Sequence, residues 1–200
     1  MADTEGIIEE QFEEALAVHR LLASDIAVAA SLARLADVCA RALENGGTIF
    51  FAGNGGSFAD AQHMAAELTG KMGRMRRSLS GIALGANSSS MSAIGNDFGY
   101  QFSFARELEG LHRAHSVVVA FSTSGNSANL IELAKVADRL GSPMVCLTGQ
   151  SGGKIAEHCE VIALPSGRTE RVQEMQTLLG HTLCLCIEEI LELSSEPYGE

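Results

Sequence analysis

The hydrophobic pattern of the chain changes at about residue 46. From Ile7 to Leu43, apolar residues recur at helical spacing in an alanine-rich background. The pattern stops at Asn45-Gly46-Gly47, a run that is typical of a helix end. We interpret this stretch as two helices that break near Ser24-Asp25. Residues 1–45 are therefore predicted to form an N-terminal helical segment.

Beyond Gly47, short apolar runs alternate with helical stretches. Apolar runs without polar alternation are typical of strands buried on both faces, and helices between them indicate crossovers in a parallel sheet. The five predicted strands are Thr48–Ala52, Gly81–Leu84, Ser116–Phe121, Met144–Thr148 and Val161–Leu164. The predicted helices are 58–72, 89–94 with 100–108, 128–140, 153–158 and 169–193. Residues 46–200 are thus expected to form a doubly wound α/β core, in which ligands bind beyond the carboxyl ends of the strands.

Composition limits the class of protein and of partner. At 200 residues and 46% hydrophobic, the chain fits one folded domain of ordinary size. Its net charge of −11 argues against nucleic acid as a partner, because phosphate backbones are bound by Lys and Arg. A short cationic patch is the local exception, at Lys71, Arg74, Arg76 and Arg77. We interpret the patch as a solvated loop; contact with an anionic substrate is the alternative.

The expected location is the cytoplasm. The five cysteines have no regular spacing and most of them lie in apolar runs, a pattern that favours reduced thiols. The acidic stretch Met1–Gln11 does not resemble a signal peptide. No apolar run approaches the ~20 residues of a membrane-spanning helix. We expect a soluble protein that contacts neither membrane nor nucleic acid.

The segment Gly53–Glu67 carries the first candidate chemistry, with the sequence GNGGSFADAQHMAAE. It reads as the end of a strand, a glycine turn at Asn54-Gly55-Gly56, and a helix. Such a turn offers free backbone N–H groups and the positive end of the helix dipole to a sugar or phosphate oxygen. His63 and Glu67 lie four residues apart, about 400° around a helix, so they share one face. This pair is suited to binding a metal or moving protons.

A second candidate loop follows the third predicted strand. Ser122, Thr123, Ser124 and Ser127 surround a glycine just before a helix. Hydroxyl donors, a close backbone and the helix dipole suit a phosphomonoester. The loop lacks the Lys of a nucleotide P-loop. The structural alternative is that Ser122 or Ser127 only caps the helix.

Two further groups have both a functional and a structural interpretation. Gln173 and His181 lie on one broad face of the last helix but ~12 Å apart along it, which nearly exhausts their reach toward a common atom. They must therefore reach it from opposite sides, or one of them must come from a neighbouring subunit. His181 is otherwise a packed histidine in an apolar helix. Asn96-Asp97 falls in the predicted loop region after the second strand, where it serves either a turn or substrate hydroxyls.

Together these motifs resemble the sugar isomerase (SIS) domain family, and within it the bacterial sedoheptulose 7-phosphate isomerases. The resemblance covers nearly the whole chain and includes A-G-N-G-G-S, A-D-A-Q-H-x-x-x-E, A-I-G-N-D-x-G-Y, S-T-S-G-N-S and V-Q-E followed by G-H. It implies a three-layer sandwich of flavodoxin-like topology and a homotetramer with interfacial active sites, packed through residues 1–45. It also implies conversion of sedoheptulose 7-phosphate to D-glycero-D-manno-heptose 7-phosphate through an enediol, for heptose nucleotides of lipopolysaccharide, capsule or secondary metabolites.

The resemblance also assigns roles to the candidate residues. It implies one Zn²⁺ per subunit, held by His63, Glu67, Gln173 and His181, with Glu67 and His181 as the acid/base pair. The implied substrate contacts involve a larger set: Asn54, Gly55, Gly56, Glu67, Asn96, Asp97, Ser122, Thr123, Ser124, Ser127 and Gln173.

Two departures from the family pattern bear on the exact sugar rather than on the reaction class. Gln176 stands where the family usually has His, and Asn87 stands where it usually has Asp. An isomerase of a different phosphosugar therefore remains open. A second alternative is a non-enzymatic SIS protein of the replication-initiator-associating type. That branch typically lacks the acid at Glu67 and the histidine at His181, and because both are present here the enzyme is favoured.

Overall fold

Five parallel strands form the centre of the molecule. The computed structural model describes residues 3–191 and places the strands at β1 (Ile49–Gly53), β2 (Gly81–Ala83), β3 (Val117–Ser122), β4 (Met144–Thr148) and β5 (Glu160–Ala163). Their order across the sheet is β2-β1-β3-β4-β5, with every neighbouring pair parallel. The strand order reverses between β1 and β3, where open α/β sheets bind ligands. The predicted flavodoxin-like α/β sandwich is confirmed.

Within the described residues, seven α-helices flank the sheet. They are α1 (Thr4–Ser24), α2 (Ile26–Glu44), α3 (Gly56–Thr69), α4 (Ser88–Asp97), α5 (Ser103–Leu111), α6 (Ala128–Arg139) and α7 (Thr169–Ile190). The predicted break near Ser24-Asp25 is confirmed, because the Asp25 carboxylate accepts the backbone N–H groups of Ala27 and Val28 and so caps α2.

Several predicted boundaries were wrong. The helix expected at 153–158 is a short 3₁₀ turn at Lys154–Glu157, because glycines precede it and few residues remain before β5. α3 begins at Gly56 rather than at 58 and ends at Thr69 rather than at 72. The residues 192 and 193 of the last predicted helix lie outside the described part of the chain.

The strands alternate between two hydrophobic clusters, which explains why their sequences show no polar positions. Phe51, Val119 and Leu147 face one cluster with α1, α2, α3 and α7. Phe50 and Val118 face the other, with α5 and α6. Because helices cover both faces of the sheet, strand side chains are buried whichever face they point to. The result is the three-layer arrangement, with the carboxyl ends of the strands left open to loops.

Helix α1 and the start of α2 expose much of their apolar surface. α1 buries only Val18 and Leu22 among its 21 residues. Large apolar side chains remain exposed along α1 and at the start of α2, namely Ile7, Ile8, Phe12, Leu16, Leu21 and Ile26. Within residues 3–191, no helix taken singly has the length and apolar character of a membrane span; α1 and α2 together meet those criteria but bend by 70° between them.

Candidate active site

Helices α3 and α7 lie side by side and parallel, in a constant register. Their side-chain contacts join residues 119, 117 and 118 positions apart, respectively Ser57–Gln176, Asp60–Thr177 and His63–His181. A separation that varies by only two positions means that each turn of α3 meets the corresponding turn of α7. The two helices therefore act as one support for every functional side chain that they carry.

Three potential metal ligands converge on this helix pair. His63 Nε2 lies 3.0 Å from Glu67 Oε1 and 3.4 Å from His181 Nε2. All three donor atoms lie within 4.8 Å of one another, and the two imidazole rings meet edge to face. Two imidazole nitrogens and one carboxylate oxygen are donors that suit Zn²⁺. The same groups are also suited to proton transfer, because a carboxylate and an imidazole can each accept and donate a proton.

Asp60 lies beside this donor cluster and was missed by the sequence reasoning. Its Oδ1 accepts a 2.6 Å hydrogen bond from the Thr177 hydroxyl across the two helices. Burial raises the pKa of the Asp60 carboxyl, and the Thr177 hydroxyl and the nearby His63 and His181 counteract that rise only in part. The available signal was its position one turn before His63, on the same face of α3.

Gln173 lies apart from the donor cluster within the chain. Its side-chain amide packs on Gly56 at the beginning of α3, so closely that a Cβ added to Gly56 would come within 2.5 Å of Gln173 Nε2. No side-chain hydrogen bond within residues 3–191 joins Gln173 to His63, Glu67 or His181. Within one chain, the Gln173 side chain therefore does not join the donor cluster, as its separation from His181 along the helix predicted.

Hydrogen bonds within the loop between β3 and α6, and contacts with the loop after β4, fix its conformation. The Ser122 hydroxyl accepts the Gly125 N–H, and the Thr123 carbonyl accepts the Gly149 N–H. Gly125 has φ +65° and lies against the Gly152 carbonyl, with which any Cβ would overlap. A side chain at Gly125 would thus be both strained and obstructed.

The capping alternative for Ser127 is wrong. Ser127 occupies the N-cap position of α6, yet its side chain makes no capping hydrogen bond. Its hydroxyl and that of Thr123 have no hydrogen-bond partner in the part of the chain that the structure describes. Ser124 Oγ accepts the Asn126 N–H. The loop therefore offers hydroxyls and the N-terminus of α6 to an anion.

An open cleft of about 490 Å³ connects this loop with the glycine turn after β1. It is lined by Asn54, Tyr100, Gln101, Ser127, Ala128 and Asn129. The cleft contains two of the predicted substrate residues, Asn54 and Ser127. Tyr100, Gln101 and Asn129 were missed as site residues, although Tyr100 belongs to the quoted A-I-G-N-D-x-G-Y motif. Gly55 and Gly56 follow Asn54 directly, at the start of α3.

Asn96 and Asp97 were predicted to lie in a loop, and this was wrong. They lie in the last turn of α4. The Asn96 amide donates a 2.7 Å hydrogen bond to Asp97 Oδ1. Both line a separate surface cleft with α4 serines rather than the cleft at Asn54. The helix ends only after them, where the Phe98 and Gly99 N–H groups donate to the Ile94 carbonyl and Gly99 has a positive φ of 98°, as is typical just beyond a helix.

The interpretation of the cationic patch as a solvated loop was wrong for Arg76. The Arg76 side chain is completely buried and pairs with Glu188 at 2.7 Å. Its guanidinium also donates to the carbonyl oxygens of Glu67, Leu68 and Gly70, which lie at the end of α3 where a helix has no further N–H groups to offer. Arg76 therefore caps the helix that carries Glu67, and binds α3 to α7.

Glu188 completes this lock from the α7 side. Its carboxylate accepts the backbone N–H groups of Met72, Gly73 and Arg74 besides the Arg76 guanidinium. Burial works to raise the pKa of the Glu188 carboxyl, but these donors outweigh it and hold that pKa below its ordinary value.

Neither departure from the family pattern reaches the donor cluster. Gln176 is fully buried; it accepts the Ser57 hydroxyl at 3.0 Å and donates to the Leu147 carbonyl at 2.8 Å. Ser57 therefore does not cap α3 with its hydroxyl. Asn87 caps α4, with its Oδ1 accepting the N–H groups of Ser89 and Ser90. Both residues have structural roles in this chain.

Comparison with known proteins identifies the family. Residues 15–149 match the SIS domain family. The chain is 40% identical to a phosphoheptose isomerase of Campylobacter jejuni, over 92% of this chain and 98% of that protein. It is 46% identical to one of Aliarcobacter butzleri, over 80% and 85% of the two chains.

Solved structures agree with the sequence relatives. The phosphoheptose isomerase of Neisseria gonorrhoeae superimposes with a TM-score of 0.84 at 37% identity, covering 92% of this chain and 98% of that one. That of Francisella tularensis superimposes with a TM-score of 0.87 at 28% identity, covering 94% and 100%. Identity at this level over nearly complete chains exceeds what a shared fold alone provides. The chain belongs to the SIS domain family and, within it, to the phosphoheptose isomerases.

Proposed function

We propose that the protein converts D-sedoheptulose 7-phosphate to D-glycero-D-manno-heptose 7-phosphate by aldose–ketose isomerisation, for the synthesis of a nucleotide-activated heptose. The observation that carries this proposal is the convergence of His63, Glu67 and His181 on the α3–α7 pair. An isomerisation of this kind needs a base and an acid within reach of adjacent carbons, and a carboxylate next to an imidazole supplies them.

The loop after β3 is proposed to bind the substrate phosphate. Thr123 and Ser127 have hydroxyls without partners in the described chain, while Ser122 and Ser124 hold the loop through their own hydrogen bonds. The N-terminus of α6 adds a favourable dipole. Binding the phosphate there fixes the far end of the sugar, so that the reacting carbons approach the donor cluster in a restricted set of orientations.

The proton transfers are assigned to Glu67 and His181. Glu67 removes a proton from C1 of the ketose, while His181 gives a proton to the carbonyl oxygen at C2, which forms a 1,2-enediol. Return of the proton to C2 and loss of the proton on O1 then give the aldehyde, so that no atom is gained or lost. Asn54, Gly55 and Gly56 are proposed to hold the sugar, and Asn96 with Asp97 its hydroxyls.

A zinc ion is proposed as the cofactor, one per subunit. His63, Glu67 and His181 fit it as donors, and Gln173 is the proposed fourth ligand. When bound, zinc polarises the substrate carbonyl and stabilises negative charge on the enediolate. Metal content of protein purified without chelators tests this part separately, and a metal-free preparation with full activity would refute it.

We further propose that the protein is a cytoplasmic homotetramer with active sites at subunit interfaces. Each subunit is one SIS domain over residues 1–200. The exposed apolar side chains of α1 and α2 supply a surface for a second copy, with residues 1–45 as the packing segment. The separation of Asn96 and Asp97 from the Asn54 cleft within one chain supports a site that is shared between subunits.

A turnover assay with sedoheptulose 7-phosphate, followed by NMR of the product, tests the reaction. Glu67→Gln keeps the size of the side chain but removes the base, so we expect kcat to fall by roughly 10²-fold or more. Glu132→Gln is the matched control, because Glu132 pairs with Lys135 on the surface of α6. Absence of turnover by the wild type with this and related ketose phosphates would contradict the proposal.

Mixing two inactive variants tests the shared site. Glu67→Gln and Asp97→Asn alter residues that lie apart within one chain, so each homotetramer is expected to be impaired. If the site is interfacial, subunits exchanged between the variants form some sites with both native residues, and activity returns. If each site belongs to one chain, mixed tetramers contain no intact site, and activity stays at the level of the separate variants.

A further inference from the structure

Asn54 is held by two side chains to which no role has yet been given. Asn54 Nδ2 donates to Asn129 Oδ1 at 3.0 Å, and Asn129 Nδ2 donates back to Asn54 Oδ1 at 2.8 Å. The Tyr100 hydroxyl donates to the same Asn54 Oδ1 at 3.0 Å. The three residues come from the turn after β1, the start of α6 and the 3₁₀ turn after α4.

These hydrogen bonds occupy most of the donor and acceptor positions of the Asn54 side-chain amide. Its Oδ1 accepts two hydrogen bonds, which uses both lone pairs, and one of its two Nδ2 protons is donated. The remaining polar group is the second Nδ2 proton, and Asn54 lines the cleft. Toward a ligand in the cleft, Asn54 is therefore a donor and has no acceptor to offer.

Asn129 is the member of this set that is built into the fold. It is 3% exposed and lies on the inner side of α6, two residues after Ser127 of the phosphate loop. A reciprocal amide pair satisfies its buried polar atoms, and the pairing fixes the rotation of both amides. Asn129 thus connects the orientation of Asn54 to the loop proposed to bind phosphate.

We propose that Asn129 is a positioning residue that, with Tyr100, fixes the Asn54 amide as a hydrogen-bond donor to an acceptor oxygen of the sugar phosphate. This inference rests on the proposed function for the identity of the ligand. The acceptor is a carbonyl, a hydroxyl or a phosphate oxygen, all of which the substrate class carries. Asn129 itself acts through Asn54 and the cleft, and is not placed on the reacting atoms.

A double-mutant cycle tests the proposal with sedoheptulose 7-phosphate. Asn129→Ala and Asn54→Ala are each expected to lower kcat/KM by roughly 10- to 100-fold, mainly through KM. Because Asn129 acts through Asn54, the double variant should fall within about threefold of Asn54→Ala alone. The proposal would be overturned if the loss of kcat/KM in the double variant equalled the product of the two single losses. An Asn129→Ala variant with wild-type kcat/KM would overturn it as well.

A control and a second readout keep loss of folding apart from loss of positioning. Ser142→Ala removes another buried hydrogen bond, from Ser142 Oγ to the Ser116 carbonyl at the amino ends of β3 and β4, and should leave KM unchanged. Asn129→Asp preserves size but cannot donate to Asn54 Oδ1, so it should reproduce the loss in KM.

Crystal structures of the Asn129 variants give a readout that does not need turnover. We expect the Asn54 side chain to leave its present orientation in both. An unchanged Asn54 still bonded to Tyr100 would overturn the proposal, even if the wild type proved inactive on this sugar. Inactivity of the wild type alone would instead count against the proposed function.

Discussion

The α3–α7 pair and α4 carry different parts of the proposed site and are built in opposite ways. α7 buries ten of its residues, and contacts in constant register join it to α3. α4 buries none of its residues in the described chain. The groups assigned to proton transfer thus lie on a rigid internal support, whereas Asn96 and Asp97 lie on a helix with few internal constraints. The proposed interfacial site, which a second copy of the chain would complete, is the explanation that we offer for that difference.

The largest effect should come from breaking the lock that joins α3 to α7. Arg76→Leu leaves the buried Glu188 without its cation and removes the guanidinium that donates to four backbone carbonyls at and after the end of α3. We expect a loss of about 3–5 kcal/mol in the free energy of unfolding, because breaking a buried ion pair leaves a charge uncompensated. Urea unfolding measures the change.

Arg34→Leu is the matched control, since Arg34 pairs with Glu160 while more than half exposed. Its removal should cost no more than about 1 kcal/mol. Equal losses in the two variants would mean that the Arg76 lock contributes no more than a surface pair.

A pair of Gly→Ala changes compares the two helices directly. On α7, a Cβ at Gly180 would lie 2.5 Å from Met64 Sδ of α3, so Gly180→Ala should destabilise by about 1–3 kcal/mol through overpacking. On α4, a Cβ at Gly95 would meet no atom within 4 Å, so Gly95→Ala should stabilise by about 0.5–1 kcal/mol. Thermal unfolding of both variants gives the comparison.

The Gly95 change also reports on the partner. If a second copy packs closely on this face of α4, Gly95→Ala should shift the oligomeric state in gel filtration or sedimentation instead of raising the stability. A Gly180→Ala variant as stable as the wild type would contradict the tight α3–α7 packing.

The smallest effect is expected at the Asn87 departure. Asn87→Asp restores the residue usual in the family, and a carboxylate at this N-cap accepts the same two N–H groups. We expect the free energy of unfolding to change by less than about 0.5 kcal/mol, because Asn and Asp cap helices almost equally well. A large change in KM without a change in stability would show that residue 87 contacts the substrate.

Much of the fold followed from local patterns, and so did part of the site. The five apolar runs predicted the strands because burial on both faces removes every polar position. The spacing of His63 and Glu67 predicted their contact, since residues four apart share a helix face. The family motifs led to His181 and Gln173. Arg76 was misjudged because the local sequence looks like any cationic loop, and its partner Glu188 lies 112 positions away.

The sequence by itself determined the sheet, the crossover helices and which loops meet at the carboxyl ends of the strands, because periodicity and glycine turns are local properties. Only the tertiary structure decided which distant side chains meet. The parallel register of α3 and α7 brings His63 to His181, and the approach of the turn after β1 to the start of α6 pairs Asn54 with Asn129. Such contacts depend on packing between elements far apart in the chain, and no local pattern encodes that packing.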